Sequence, residues 1–255
     1  MNAKEQKSLL VGFGGILWLL IVFLSYAYTH KPFTPEQVIR LLRLVWQILV
    51  PFGILSLAGG LGWRLFGKWT AGFNSLVALS LQAVLGFGVF SLATLALGAS
   101  VGFSRFVFIL FLLVIAVIAN KSILDWGKQF GTFSLIWQKS GKFDKMLALG
   151  GLFILLITFA KSLAPPLMFD SLVYHLTLPK WYLLEGRITY IPELMFWGMP
   201  QLQEMGMTVA LALGGAEAAI VLAWALGVLA LVGLLGYLDA FFSASAAWMG
   251  VTSLL

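Results

Sequence analysis

The stretch that decides how this chain reads is Pro165 to Met205, PPLMFDSLVYHLTLPKWYLLEGRITYIPELMFWGMPQLQEM. On both sides of it the sequence is compatible with hydrocarbon. Inside it sit Asp170, Tyr174, His175, Lys180, Glu185, Arg187, Glu193 and Glu204. Pro165, Pro166, Pro179, Pro192 and Pro200 punctuate the same stretch, so it cannot form one continuous helix. It is also too long for a tight connection, and long ordered loops are usually functional. The expectation is a polar loop, 164–200, carrying a short helix that lies against a membrane.

Working outward, the chain is 61% hydrophobic and only 10% charged. Soluble domains carry about 25% charged residues, so this composition belongs to a polytopic membrane protein. The fold class is all-α, a transmembrane bundle of about seven or eight spans. There is no cysteine, which excludes disulfides and thiolate metal sites. The only histidines, His30 and His175, are too few for a histidine metal cage. The net charge of +6 is scattered between apolar runs. Nucleic-acid binding needs a concentrated basic face, so no nucleic-acid partner is expected.

Five apolar runs precede the loop: Leu9–Tyr28, Leu44–Leu61, Phe73–Leu97, Phe103–Ala119 and Met146–Leu163. Each approaches the roughly 20 residues that cross a hydrocarbon core. Glu36–Arg43 reads as an amphipathic segment at the interface that leads into the second span. Pro51 and Gly53 should kink the second span. Asn74 and Gln82, polar at membrane depth, are expected to hydrogen-bond neighbouring helices. Arg105 should snorkel. Asn120–Lys145 holds Lys121, Lys128, Lys139, Lys142 and Lys145, and is the most basic connection in the chain. The positive-inside rule puts it in the cytoplasm, lying on the membrane surface through Trp126, Phe130, Phe133 and Trp137. Counting spans from Met1, or from this basic segment, places the 164–200 loop outside. Lys31, Arg40 and Arg43 on the outer side weaken that bias.

Beyond the loop, a short sixth span starts near Met195 or Pro200 and ends at Leu213. A turn at Gly214-Gly215 leads to a seventh, Ala216–Leu238, whose Ala223, Gly227, Gly233 and Gly236 permit close helix approach. From Ser243 an eighth run begins, and the chain reads as the front part of a longer protein. The organisation expected is five spans over 1–163, then a functional module over 164–255.

Asp170 opens a segment that reads as helical and that Gly186 should stop. It is either an N-cap or a functional carboxylate. At α-helical spacing Tyr174 shares its face, with Thr177 and Trp181 continuing it, while His175 points away. Pro179 should kink the helix. A carboxylate at a membrane boundary beside aromatic rings is placed to take a proton from a hydroxyl. Lys180 and Arg187 are the local cations for a phosphate, or else interfacial anchors. Glu204, in the first turns of a membrane helix, must face the protein interior or an aqueous cavity. Asp170, His175 and Glu204 together could also hold a divalent metal.

The run Asp170-Ser-Leu-Val-Tyr174-His175-Leu-Thr-Leu-Pro179-Lys180-Trp-Tyr182-Leu-Leu-Glu-Gly186 resembles the first-loop motif of GT-C superfamily membrane glycosyltransferases, such as bacterial protein O-mannosyltransferases and the lipid A aminoarabinose transferase. Pro200-Gln-Leu-Gln-Glu204-Met205 and Phe241-Phe-Ser-Ala-Ser-Ala-Ala resemble the family's continuation. The likeness covers Pro165–Leu255. Ser171 stands where the family usually has a second acid, and the family usually has one span before the loop where this chain has five. The resemblance implies an inverting transferase of a prokaryotic plasma membrane. It would take a polyprenyl-phosphate-linked sugar as donor and a glycan, lipid or protein as acceptor, and work on the extracytoplasmic face. Asp170 would be the base. Tyr174, His175, Lys180, Arg187 and Glu204 would contact substrate, among surrounding membrane lipids. A transporter or lipid flippase, with the loop as a lid and Glu204 as coupling carboxylate, is the main rival. A non-catalytic membrane scaffold is the other.

Overall fold

A computed structural model describes residues 3–30, 34–199 and 201–255, with side chains from residue 14 onward except at 16, 27 and 30. Among these residues the structure is helix and turn without strands. Lys31, Pro200 and the His30 side chain lie outside what is described. The chain forms two compact units, 1–45 and 46–255.

Helix α1 spans Ala3–His30. Helix α2, Pro35–Thr70, starts on a reciprocal cap: the Thr34 amide donates to Gln37 Oε1 at 2.8 Å, and the Gln37 amide to Thr34 Oγ1 at 3.3 Å. Pro35 takes the first helical position, where its missing donor costs nothing. The helix then continues without a break, so Glu36–Arg43 leads directly into the apolar run as its first part. Helices α3 (Ser75–Ser100) and α4 (Arg105–Lys128) start on Asn74 and Ser104, whose side chains accept from Leu76 N and Val107 N. Asn74 is therefore a cap and not an interhelical bond.

Small residues bring α2 against its neighbours. A Cβ at Gly62 would overlap the Gln82 backbone, and one at Gly59 or Gly60 would meet Trp126 or Ile123. This packing draws the α4 helix on past Ala119. Trp126, 5% exposed, donates to Leu79 O at 3.0 Å, so it belongs to the core and not to a surface segment. A 3-10 turn at Gln129–Gly131 leads into α5 (Thr132–Lys139) and then α6 (Lys142–Ser162).

After the loop come α7 (Thr177–Glu185), α8 (Leu202–Gly214), α9 (Ala216–Phe241) and α10 (Ala244–Thr252). Among the described residues, five helical stretches are long and apolar enough to cross a membrane: Pro35–Thr70, Ser75–Ser100, Arg105–Lys139, Lys142–Ser162 and Ala216–Phe241. The chain is accordingly a helical membrane protein. Helix α8, with 13 residues, reaches only about 20 Å at 1.5 Å per residue, against roughly 30 Å of hydrocarbon. The expected sixth span is therefore a half-helix.

Side-chain contacts within the second unit define two ends. At one, Asn74 and Leu76 of α3 meet Gly236 of α9, and Lys139 approaches Asp239 at 3.7 Å; this is the basic end. At the other, the Phe103 amide donates to Gly186 O and the Ile188 amide to Gly98 O, tying the polar loop to the α3–α4 turn; this is the loop end. Gly102, at φ +95°, faces Gly186, at φ +67°, in a contact where a Cβ would crowd the carbonyl. Helix α8 runs toward the loop end, where Arg105 Nε and Trp46 Nε1 donate to Ala212 O and Leu213 O. Arg105 thus caps a neighbouring helix. Gly215, at φ +86°, reverses the chain and α9 returns to the basic end, opposite in direction to the expected seventh span. Gly233 and Gly236 make the close approaches expected of them; Gly227 faces open space.

Candidate functional site

Helix α6 ends at Ser162, and past Pro165 and Pro166 the chain enters a turn whose geometry differs from the α-helical expectation. Residues Ser171–His175 form a π-helical turn, closed by the Leu176 amide donating to Ser171 O at 3.0 Å. A turn closed from i+5 to i shifts side chains relative to α-helical register, and such turns often mark functional sites. It brings His175 inward, onto a residue 29 positions away.

That residue is Glu204. His175 Nδ1 lies 2.6 Å from Glu204 Oε1. The Glu204 side chain is 5% exposed and that of His175 is 32% exposed. A carboxylate accepts, so Nδ1 carries the hydrogen and the tautomer leaves Nε2 for another partner. Glu204 sits in the first turn of α8, where the helix dipole favours a negative charge. It is also deep. Gly206, two residues on, packs on the Phe87 ring, and Phe87 lies midway along α3. The expectation that Glu204 faces the interior is met.

Aromatic side chains close the site. The Tyr174 ring centroid lies 4.0 Å from that of His175 and 4.8 Å from that of Phe196. Behind it, fully buried Tyr182 donates from its hydroxyl to Gln201 Oε1 at 2.7 Å, and Gln201 Nε2 donates to Trp197 O. Trp197 Nε1 donates to Thr189 O at 2.8 Å. Burial pushes the Tyr182 hydroxyl above the ordinary tyrosine pKa, against the opposing pull of its bond to Gln201, and the nearby Glu204 charge adds to the rise. This chain of bonds pins the 3-10 turn Met195–Gly198 under the loop and fixes where α8 begins. Gln201, Phe196 and Trp197 were not singled out from sequence. Their signal was only the polar pair Gln201 and Gln203 at the foot of an apolar helix.

The other expected residues stand apart. Asp170 is exposed and its side chain makes no capping bond; its backbone is already helical at φ −61°, ψ −38°. The N-cap explanation of Asp170 is therefore removed. Lys180 and Arg187 are exposed on and just after α7. Pro179 lies in the first turn of α7, where proline is tolerated, and introduces no kink; the break falls at Leu176. Gly186 stops the helix in left-handed geometry, as expected. Among the described residues no three His, Asp or Glu side chains gather as metal ligands, so Asp170 does not complete a metal site with His175 and Glu204.

A cavity of about 290 Å³ adjoins the π turn, between the Pro165–Met168 segment, Ser171 and Trp224 of α9. Lys161 and Thr158 of α6 line it, and Thr158 Oγ1 accepts from Trp224 Nε1 at 3.1 Å. The arrangement offers an exposed carboxylate, an oriented imidazole, aromatic faces and an adjoining pocket with a lysine. No family model, curated protein or solved structure matches the chain.

Proposed function

We propose that the chain is a membrane glycosyltransferase that moves a sugar from a polyprenyl-phosphate-linked donor to an acceptor hydroxyl at the loop end. The observation that carries the reading is the π turn. It leaves Asp170 exposed and uncapped while its other end fixes His175 on buried Glu204. A structural loop has little use for a buried carboxylate whose side chain, among the described residues, bonds to an imidazole alone.

In this reading the Asp170 carboxylate takes the proton of the acceptor O–H, and that oxygen forms the new bond to the anomeric carbon. The glycosyl–phosphate C–O bond breaks, its electron pair leaves with the polyprenyl phosphate, and the anomeric configuration inverts. His175, held by Glu204 through its Nδ1–H, accepts at Nε2 from a hydroxyl of the donor sugar, and Tyr174 and Phe196 offer ring faces to the sugar. Lys180 and Arg187 flank the loop as cations for the phosphate. The basic end faces the cytoplasm by the positive-inside rule, which puts the chemistry on the extracytoplasmic face.

A second reading, as a transporter or lipid flippase, draws on one observation: Glu204 opens a half-helix near mid-depth, as coupling carboxylates do. The test uses membranes containing the full-length protein, polyprenyl-phosphate mannose, glucose or aminoarabinose, and a readout of released polyprenyl phosphate. Asp170→Asn is expected to cut release by about a hundredfold or more. Release at the wild-type rate in Asp170→Asn would reject Asp170 as base. Lipid movement that Glu204→Gln abolishes and Asp170→Asn spares would favour the transporter.

A further inference from the structure

At the basic end, α5, α6, α9 and α10 enclose a cavity of about 570 Å³ that no part of the proposed transfer site uses. Its wall includes Trp137, Leu149, Leu152, Leu155, Leu231 and Trp248. The polar side chains in that wall, Ser134 and Thr252, donate to Gly131 O and Trp248 O on their own helical turns, both at 2.7 Å. The cavity therefore offers an occupant mainly hydrocarbon contact, the hydroxyl hydrogens of Ser134 and Thr252 being already used on their own turns. Its volume falls within the range of about 300–1,000 Å³ typical of ligand pockets.

The mouth has a different chemistry. Lys142, Lys145, Leu149 and Leu152 follow one another at three- and four-residue spacing on α6, so the two lysines continue the cavity-lining face by about two further turns. Lys145 Nζ lies over the Trp137 ring, 5.4 Å from its centroid, and that ring is itself part of the wall. The neighbouring acids are already engaged. Asp144 accepts from the Gly141 amide at 2.9 Å and from Ser245 Oγ at 2.8 Å, and Asp239 faces Lys139. Among the described residues neither Lys142 nor Lys145 has an ion-pair partner.

We infer that this cavity binds an anionic phospholipid of the basic-side leaflet, one acyl chain in the cleft and the phosphate on Lys142 and Lys145. An apolar slot with an unneutralised cationic rim matches the two halves of such a lipid, and basic pockets between membrane helices hold anionic headgroups. A zwitterionic lipid would fill the slot but gain less from the rim.

The experiment is native mass spectrometry of the full-length protein, carried from detergent with phosphatidylglycerol and phosphatidylcholine in competition. Wild type is expected to retain one phosphatidylglycerol in preference to phosphatidylcholine. Lys142→Ala with Lys145→Ala should lower that preference about 25-fold, about fivefold per lysine, while Lys145→Arg keeps most of it. Leu152→Trp, at a half-exposed position in the cleft, should lose both lipids. Equal retention of the two lipids by wild type overturns the inference. So does an unchanged preference in the double variant, or a protein segment found in the cleft. Both lysines reach the surface, and unaltered helical circular dichroism in the double variant separates lost binding from lost folding.

Discussion

The two ends of the second unit treat buried polar groups in opposite ways. At the basic end they satisfy one another. Gln82 Nε2 donates to Thr70 Oγ1 at 2.6 Å, Gln129 Nε2 to Gln82 Oε1 at 2.7 Å, and Trp248 Nε1 to Ser140 Oγ at 2.8 Å. The 3-10 turn there, Gln129–Gly131, joins α4 directly to α5, and Asp144 works as a cap for α6 and an anchor for α10. At the loop end the backbone is broken into a π turn, a 3-10 turn and a half-helix, and buried Glu204 is joined to a partly exposed histidine. Irregular backbone at membrane depth persists only where it is enclosed by protein or lines a cavity. The comparison shows that similar burial of a carboxylate, 6% exposed for Asp144 and 4% for Glu204, serves architecture at one end and, in the proposed transferase, chemistry at the other.

The largest expected effect tests that contrast directly. Glu204→Gln removes the anionic partner of His175, a bond of the charged type worth about 1.5–3 kcal/mol. Spent on orienting a reacting group, that is roughly a ten- to hundredfold loss of sugar transfer, with the melting temperature little changed. Asp144→Ala should do the reverse. It loses the α6 cap and the α10 anchor at about 1–2 kcal/mol of stability, with transfer per folded molecule unchanged. The pair is read by turnover and by thermal unfolding in the same detergent. If Asp144→Ala lowers turnover as much as Glu204→Gln does, the two ends are not functionally distinct.

Next in size is the clamp that fixes the loop. Gly186 at φ +67° accepts from the Phe103 amide and faces Gly102 at φ +95°. A branched side chain in left-handed geometry costs about 1–2 kcal/mol, so Gly186→Val should destabilise the protein by that amount. Proteolysis should then cut first within 187–199, while cleavage near α5 and α6 is unaffected.

Tyr182 adds a pH signature confined to the loop end. Its folded pKa lies above the ordinary value of 10.0 because burial disfavours the phenolate. Between the unfolded value and the higher folded one the native state holds more protons, so stability falls as pH rises through that window. Below about pH 9 the term is constant. Tyr182→Phe should abolish the alkaline slope and lose about 1 kcal/mol at neutral pH, the bond to Gln201. Melting temperatures from pH 8 to 11 decide it; an unchanged slope in the variant would locate the titrating group elsewhere.

The same contrast explains what the sequence could and could not say. The apolar runs ending at Leu61, Leu97, Leu163 and Leu238 each fall inside a long helix to within two residues, because length and apolarity are local properties. Gly186 as a stop and Gln82 as an interhelical donor were legible for the same reason. The continuation of α4 to Lys128 was not, since it depends on Trp126 finding the Gly59 surface of another helix. Nor was the pairing of His175 with Glu204. Spacing predicted that His175 points away from the Asp170 face, and an α-helical wheel cannot anticipate a π turn. The half-helix α8 was read as a short span because composition gives apolarity, whereas depth depends on where Gly206 docks on Phe87.

The smallest prediction concerns the exception to polar satisfaction. Ser91 is fully buried on α3, and its hydroxyl has no hydrogen-bond partner, alone among buried side-chain polar atoms of the described residues. It follows Phe90 on α3, one turn past Phe87, both of them in the core cluster that packs on α8, and Thr94, one turn on, by contrast donates to Phe90 O at 3.0 Å. An unmet buried hydroxyl is a liability of about 1 kcal/mol or more, and alanine keeps the volume nearly intact. Ser91→Ala should therefore be neutral or slightly stabilising, within about 0.5 kcal/mol by thermal unfolding. If instead it destabilises like Asp144→Ala, the hydroxyl has a partner in the bilayer-embedded protein, and the basis of the contrast between the two ends shifts from Ser91 to the groups around it.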